Sequence, residues 1–332
     1  MKRHTLHHSI FAATMLFSST LLAGESDKKT ITPTGPMDDG WKFSLSLPGW
    51  IPWLTGDTGL NGHIANVDLA PDNIIPRLDM IADVRAEANK GRFSVLGELL
   101  YMSLSDGVGT NTVVKKLDFQ VDQTLADLAF AWRLIEGPRG YLAVTGGVRY
   151  VNLYQKVALQ PNDGRIDEVA DTLSKAGTLA RLKIARELVA LAGDRPTVPI
   201  APIAGDRIDR IARTIERIKG NTAERKAQIT KVLTNALDTT VSRTDDWWDP
   251  YIGFRGRYNL TDKFYLTAKG DIGGFGVGAD LDWTAEAALG VQLSQHVFTE
   301  VGYRAWGLDY EKDGLTMDVI TQGVQVTLGV NF

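Results

Sequence analysis

Residues 323–332 read GVQVTLGVNF, and counting back in twos from Phe332 gives Val330, Leu328, Val326 and Val324. The interleaved positions hold Asn331, Gly329, Thr327, Gln325 and Gly323. A period of two marks a strand whose two faces meet different surroundings. Here one face is branched aliphatic, while the other carries only small, hydroxyl and amide residues. Such a strand is inside out for a protein in water and correct for one whose outer face meets hydrocarbon.

The same alternation recurs along most of the chain. In YIGFRGRYNL, Ile252, Phe254, Tyr258 and Leu260 oppose Arg255, Arg257 and Asn259. LDWTAEAALGVQL, VFTEVGYRAW and RLDMIADVRAEA repeat it with acids and bases at mid-strand on the polar face. A water-soluble sandwich also alternates. Three features favour the inverted version. Charges of both signs share the polar faces, as they do across a confined space. Tight connections (NKG, EGPRG, TDK, SQH) alternate with mostly longer ones, and aromatic residues gather near strand ends. These are the marks of a transmembrane barrel. The expected girdle comprises Trp50, Trp53, Trp247, Trp248 and Tyr251 at one end, with Trp132, Tyr141, Phe264, Phe298 and Phe332 at the other. The predicted fold is an all-β, antiparallel, up-and-down transmembrane barrel of about ten strands, within a range of eight to twelve.

Composition narrows the rest. The 332 residues contain no Cys, which excludes disulfides, thiolate zinc sites and a thiol nucleophile, and the net charge of −4 gives no footprint for nucleic acid. MKRHTLHHSIFAATMLFSSTLLAG has a basic start and an apolar stretch ending near a small residue, so residues 1–23 read as a secretory signal peptide. Residues 24–39 read as a flexible polar lead-in, 40–158 as the first part of the barrel, 159–246 as a helical insertion and 247–332 as the second part.

The terminal GVQVTLGVNF, ending in Phe332, resembles the C-terminal signal of bacterial outer-membrane proteins. GWKFSLSLPGW, GRFSVLGELLYMSLSD and DPYIGFRGRYNLTDKFYLTAKGDIGGFGVGADLDW resemble a broad, porin-like family of outer-membrane β-barrel proteins. The resemblance implies the outer membrane of a Gram-negative bacterium, with lipid and lipopolysaccharide as surroundings. It also implies reading of Phe332 by the outer-membrane assembly machinery. It implies no reaction, substrate or cofactor.

A barrel of this size is nearer the side-chain-filled case than the open-channel case. The inward set then forms an ion-pair network: Asp79, Asp83, Arg85, Glu87, Glu98, Arg255, Arg257, Lys269, Asp271, Glu286, Glu300 and Arg304, with Asp127, Arg149 and Asp282 on the same faces. Two readings stay open, a structural salt-bridged core and a narrow ion-conducting path. Enzyme signals are poor. Beyond the first 23 residues only His63 and His296 remain, and no nucleophile elbow, zinc-protease motif or phosphate loop is present. GGFGVG (273–278) leads into a strand and reads as a hairpin loop. Asp245, Asp246 and Asp249 lack the spacing of a calcium loop. The expectation is no enzyme, no cofactor and no metal, with a hydrolase built on His63 at the rim as the remote alternative.

Residues 159–246 change character, with Ala, Arg, Ile and Leu dominant. Ile208, Ile211, Ile215 and Ile218 repeat along one helical face, and Asn221 with Glu224 makes a capping box for a helix running to Leu237. Following the fifth strand, the insertion belongs on the long-loop, extracellular side. Arg207, Arg210, Arg213 and Arg217 cluster on one helix. They read either as a solvated face or as a contact for lipopolysaccharide phosphates or an anionic surface partner. A receptor or adhesin acting through 159–246 is therefore the alternative to a structural barrel.

Overall fold

The computed structural model describes residues 40–60, 63–109, 112–176 and 210–332. Residues 1–39, read from the sequence as a signal peptide and lead-in, and residues 177–209, with Arg207, lie outside the described residues. Among the described residues there are eleven strands, beginning with β1 (Lys42–Leu60), β2 (His63–Leu69), β3 (Leu78–Lys90), β4 (Phe93–Gly109), β5 (Val114–Gly137) and β6 (Gly140–Pro161). After the helical insertion come β7 (Thr239–Asn259), β8 (Phe264–Gly274), β9 (Leu281–Gln292), β10 (Val297–Lys312) and β11 (Leu315–Asn331). All pairings are antiparallel, and β1 joins β11 from Ser44–Asn331 to Leu60–Leu315. The ring therefore closes with ten strands, and β2 is a short extra strand paired along the far half of β1.

The turns β3–β4, β5–β6, β7–β8 and β9–β10 are short and share one end with both termini of the ring. The other connections, from the two-residue β10–β11 turn to the helical insertion, lie at the other end. Two boundaries differ from the sequence reading. β1 continues to Leu60 before turning back as β2, so no long first loop starts at 51. β6 and β7 pair as far as Leu159–Thr239, so the helical insertion spans only 162–238. Both differences have one cause. Ladder hydrogen bonding carries a strand past the hydrocarbon layer as long as its neighbour accompanies it, and loss of apolar alternation does not stop it.

Among the described residues no helix is long and apolar enough to cross a membrane. The strands are the spanning elements. Leu45, Leu47, Ile51, Val84, Leu99, Leu128, Val148, Ile252, Phe254, Leu266, Ile272, Leu289 and Val301 all face outward and are exposed. In β11, Val324, Val326 and Leu328 are exposed, while Gln325 and Thr327 are buried. The terminal strand is therefore lipid-facing on its aliphatic side.

Two aromatic–glycine pairs tighten the inner wall. Tyr265 on β8 stands opposite Gly290 on β9, and Phe298 on β10 stands opposite Gly329 on β11. A Cβ on either glycine would overlap the facing ring. The ring covers the bare backbone of its partner, a device that pins strand register.

In the insertion, α1 (Asp163–Lys175) and α2 (Thr222–Leu237) pack together, with a helical stretch at 210–216 beside them. The Asn221–Glu224 capping box is present. Ile166, Ala170, Leu173, Ile215, Ile229, Leu233 and Leu237 form an apolar core that also takes in Val113 and Val114 at the β4–β5 connection. Arg225 ties the module together, donating through Nε and Nη2 to the Ser174 carbonyl (2.9 and 2.6 Å) and through Nη1 to the Gly220 carbonyl (2.9 Å).

Gly290→Ala is expected to destabilise the barrel by about 1–3 kcal/mol, because the Tyr265 ring must leave its position. The check is the urea midpoint of the heat-modifiable gel band. An unchanged midpoint would remove the register role assigned to this pair.

Candidate functional site

Alternation sends Asp83, Arg85 and Glu87 of β3, Glu98 of β4, Arg255 and Arg257 of β7, Lys269 and Asp271 of β8, Glu286 of β9, and Glu300 and Arg304 of β10 into the lumen. The lumen is layered along its axis. At the short-turn end, Arg255 meets Glu87 at 2.8 Å. Arg257 lies 3.5 Å from the Tyr265 ring centroid and donates through Nε to Asn259 at 3.0 Å. A cavity of about 190 Å³ opens here, lined by residues that include Ser44, Tyr141, Thr267, Phe298 and Glu300.

Deeper lies a neutral cluster of three cations and three carboxylates. Arg85 forms a two-pronged contact with Glu286 (2.9 and 3.0 Å) and reaches Glu98 at 3.2 Å. Arg304 bridges Glu98 (2.5 Å) and Asp83 (3.2 Å), while Lys269 sits between Glu98 (3.2 Å) and Glu286 (3.3 Å). Gln325 closes the set, donating to Glu286 at 3.1 Å.

A second cluster surrounds Arg149, which contacts Asp127 (2.9 Å), Asp271 (3.2 Å) and Asp282 (2.5 Å) and stacks over the Tyr251 ring at 5.0 Å. The Trp306 indole donates to the same Asp282 at 2.9 Å. Toward the long-loop end the lumen turns apolar. Trp50, Leu100, Leu125, Val151, Leu153, Trp247, Trp306, Leu308, Tyr310, Leu315 and Val319 form one buried cluster, with Trp247 stacked on Tyr310 at 4.1 Å. Asp249, fully buried, accepts from the Trp247 indole (2.8 Å) and from the Ala279 backbone N–H (2.7 Å). It thereby fastens the β8–β9 loop to the inner wall.

Charged atoms line one end of this lumen, exposed aliphatic rows cover its outer wall, and the sheet closes on itself through β1 and β11. The chain is a transmembrane β-barrel. Closed antiparallel barrels with short turns at one end and longer loops at the other are the spanning form of the bacterial outer membrane, and that is where this one resides. No family model matches the chain, and no curated protein matches it. Among solved structures it is similar to Ail, the attachment invasion locus protein of Yersinia pestis, at 8% identity and a TM-score of 0.32, covering 88% of this chain and 98% of that one. It is similar to a major outer membrane protein from Thermus thermophilus at 9% identity and a TM-score of 0.32, covering 88% and 100%. The transport unit of the Escherichia coli autotransporter AIDA-I matches at 6% identity and a TM-score of 0.35, covering 91% and 92%.

Several expected positions are corrected. Trp50 and Trp247 are 3% and 5% exposed and lie inside the lumen, as do Tyr251 and Phe298, which line it. They are not girdle residues. Tyr141, read into the lower girdle, lines the same cavity. The outer aromatics are Trp53 packed on Tyr303 (5.6 Å) and Trp248, 57% exposed, packed on Tyr150 (5.0 Å). At the other end Trp41, Phe43, Trp132, Phe264 and Phe332 are exposed, with Phe93 stacked on Phe130 at 5.8 Å. Asp79 leaves the network because a register shift between Leu78 and Met80 places it on the exposed side. His63 begins β2, and its side chain lies outside the described residues. His296 is exposed in its turn, with Nδ1 3.0 Å from the Asn331 carbonyl. Asp245 is taken by Arg243 at 2.5 Å. Among the described residues no three metal-ligating side chains converge.

Arg149→Met is expected to cost about 3–5 kcal/mol, since it strands three carboxylates in a buried layer. Lys116→Met, which removes the partly exposed Asp118 pair (2.6 Å), should cost about 1 kcal/mol or less. Unfolding midpoints of the two variants in lipid vesicles make the comparison. Equal losses would mean that the lumen layer is solvated like a surface.

Proposed function

We propose that the protein is a sealed outer-membrane anchor that holds a helical module at the long-loop, extracellular end. The observation that carries this reading is the apolar cluster across the lumen. An ion entering from the short-turn end meets first a charge-neutralised layer, then a layer of buried tryptophan, tyrosine and aliphatic side chains. Hydrophobic constrictions of this kind exclude ions by dewetting. The narrow ion-conducting path is the reading disfavoured. The barrel also provides one rigid seat for the module, through Val113 and Val114.

Planar-bilayer recording is the test. The unmodified protein should give flat current, and the double variant Trp247→Gly with Trp306→Gly should give discrete steps. Steps from the unmodified protein would overturn the sealed-anchor reading.

A second reading concerns the module's surface. In the 210–216 stretch and the turn after it, Ala212 and Ile215 are buried while Arg213 and Arg217 are exposed. The arginines point to phosphate-bearing partners such as lipopolysaccharide, since guanidinium groups bind phosphate in a two-pronged manner. Arg213→Glu with Arg217→Glu should weaken retention on immobilised lipopolysaccharide, most strongly at low ionic strength. Unchanged retention would leave these residues as a solvated face.

A further inference from the structure

The ring is not hydrogen-bonded to the same extent all round. β1 and β3 pair only from Lys42–Asn89 to Ser46–Arg85, five residues on each strand. Beyond that point, residues 47–53 of β1 run beside residues 78–84 of β3 without a ladder. β2 and the helical turn at 71–74 close the gap above.

The cause is written in β1. Phe43 exchanges both backbone hydrogen bonds with Phe332 (3.3 and 2.8 Å), so odd-numbered residues of β1 direct their N–H groups toward β11. Even-numbered residues then face β3. The next three even positions are Pro48, Trp50 and Pro52, and two of them have no N–H to donate. On the opposite flank, the register shift between Leu78 and Met80 distorts β3. The result is a lateral seam whose outer lips are Leu47, Ile51, Met80 and Val84, all exposed.

Behind the seam lie three buried polar atoms that have no hydrogen-bond partner among the described residues: the Trp50 indole nitrogen on one flank, Asp83 Oδ1 on the other, and Arg304 Nε between them. Arg304 bonds Asp83 through Nη1 at 3.2 Å and lies 5.1 Å from the Trp50 ring, so all three belong to one spot. Two are donors and one is a carboxylate acceptor. Leaving them unpaired costs free energy that a hydroxyl would recover, because it accepts from the indole or guanidinium and donates to the carboxylate. Leu54, Ile81, Leu100 and Val319, next to this spot, supply an apolar wall for an alkyl chain.

The geometry points to a lateral binding site for a single-chain amphiphile with a neutral hydroxyl head. The molecule enters from the bilayer between β1 and β3, places its hydroxyl among Trp50, Asp83 and Arg304, and lays its chain against the apolar layer. This site is independent of whether the lumen conducts, since it is reached through the wall and not along the axis.

The test uses the mature protein in phosphatidylcholine vesicles with a long-chain primary alcohol carrying a photoactivatable diazirine. The matching diazirine alkane is the comparison. Labelled residues are mapped by mass spectrometry. The alcohol should label the inward residues Trp50, Leu54 and Ile81, and the alkane should label only the outward Leu47, Ile51 and Val84. Because the chain has no cysteine, Leu47→Cys with Val84→Cys introduces a single pair across the seam. Its oxidation should lower inward labelling several-fold, and reduction should restore it. Labelling confined to outward residues, or inward labelling equal for alcohol and alkane, overturns the proposal. The alcohol–alkane comparison is made on the unaltered protein and holds whether or not the engineered pair oxidises.

Discussion

Within hydrocarbon, a backbone N–H or C=O without a partner costs several kcal/mol, and there is no water to supply one. The rest of this structure follows from that constraint. It forces the sheet to close, which here means seventeen register pairs between β1 and β11. Closure at ten strands makes a narrow lumen, and a narrow lumen brings inward side chains from opposite walls within reach. Arg85 of β3 meets Glu286 of β9, and Arg149 of β6 meets Asp282 at the start of β9, across the barrel and not along it. The ion pairs are thus consequences of closure, and they fix which strand stands opposite which.

Lys269 and Arg149 mark two extremes of neutralisation within the lumen. Lys269, whose side chain keeps 30% of its exposure at the cavity, has two contacts of 3.2 and 3.3 Å. Arg149, 3% exposed, is held by three carboxylates and an aromatic face. An ion far from water has lost more solvation, and it needs more compensating charge and hydrogen bonding to remain ionised.

The period of two carried most of this structure in readable form. It gives the strand number, the closed inverted barrel and the inward direction of Glu98, Arg255, Lys269, Glu286 and Arg304. Position along the strand places Trp50, Trp247, Tyr251, Tyr141 and Phe298 in the girdle wrongly, although the same period holds the answer. Trp50 shares parity with Ser44 and Ser46, Tyr251 with Arg255, and Phe298 with Glu300, all polar inward positions. Trp53 and Trp248 instead fall with Ile51 and Ile252. Asp79 differs in kind. Its parity matches Asp83 and Arg85, and only the register shift at Leu78–Met80, which has no signature in the residues themselves, turns it outward. The long strands beyond the bilayer were also unreadable, because outside hydrocarbon the alternation lapses while the ladder persists.

The wall and the lumen impose opposite demands on β1. As the closing strand it must satisfy β11 along its whole length, and it does so with its odd-numbered N–H groups. Its even-numbered face is released from that duty, which is where the chain tolerates Pro48 and Pro52. Substituted one position along, either proline would delete a bond from the closure itself. The same parity turns Trp50 inward, toward Arg304 and Asp83, so the interrupted ladder and the unpaired polar atoms occupy one stretch of one strand. A break placed where closure does not depend on it is compatible with a stable barrel. The interrupted ladder between β1 and β3 therefore lies beside three buried polar atoms that have no hydrogen-bond partner among the described residues.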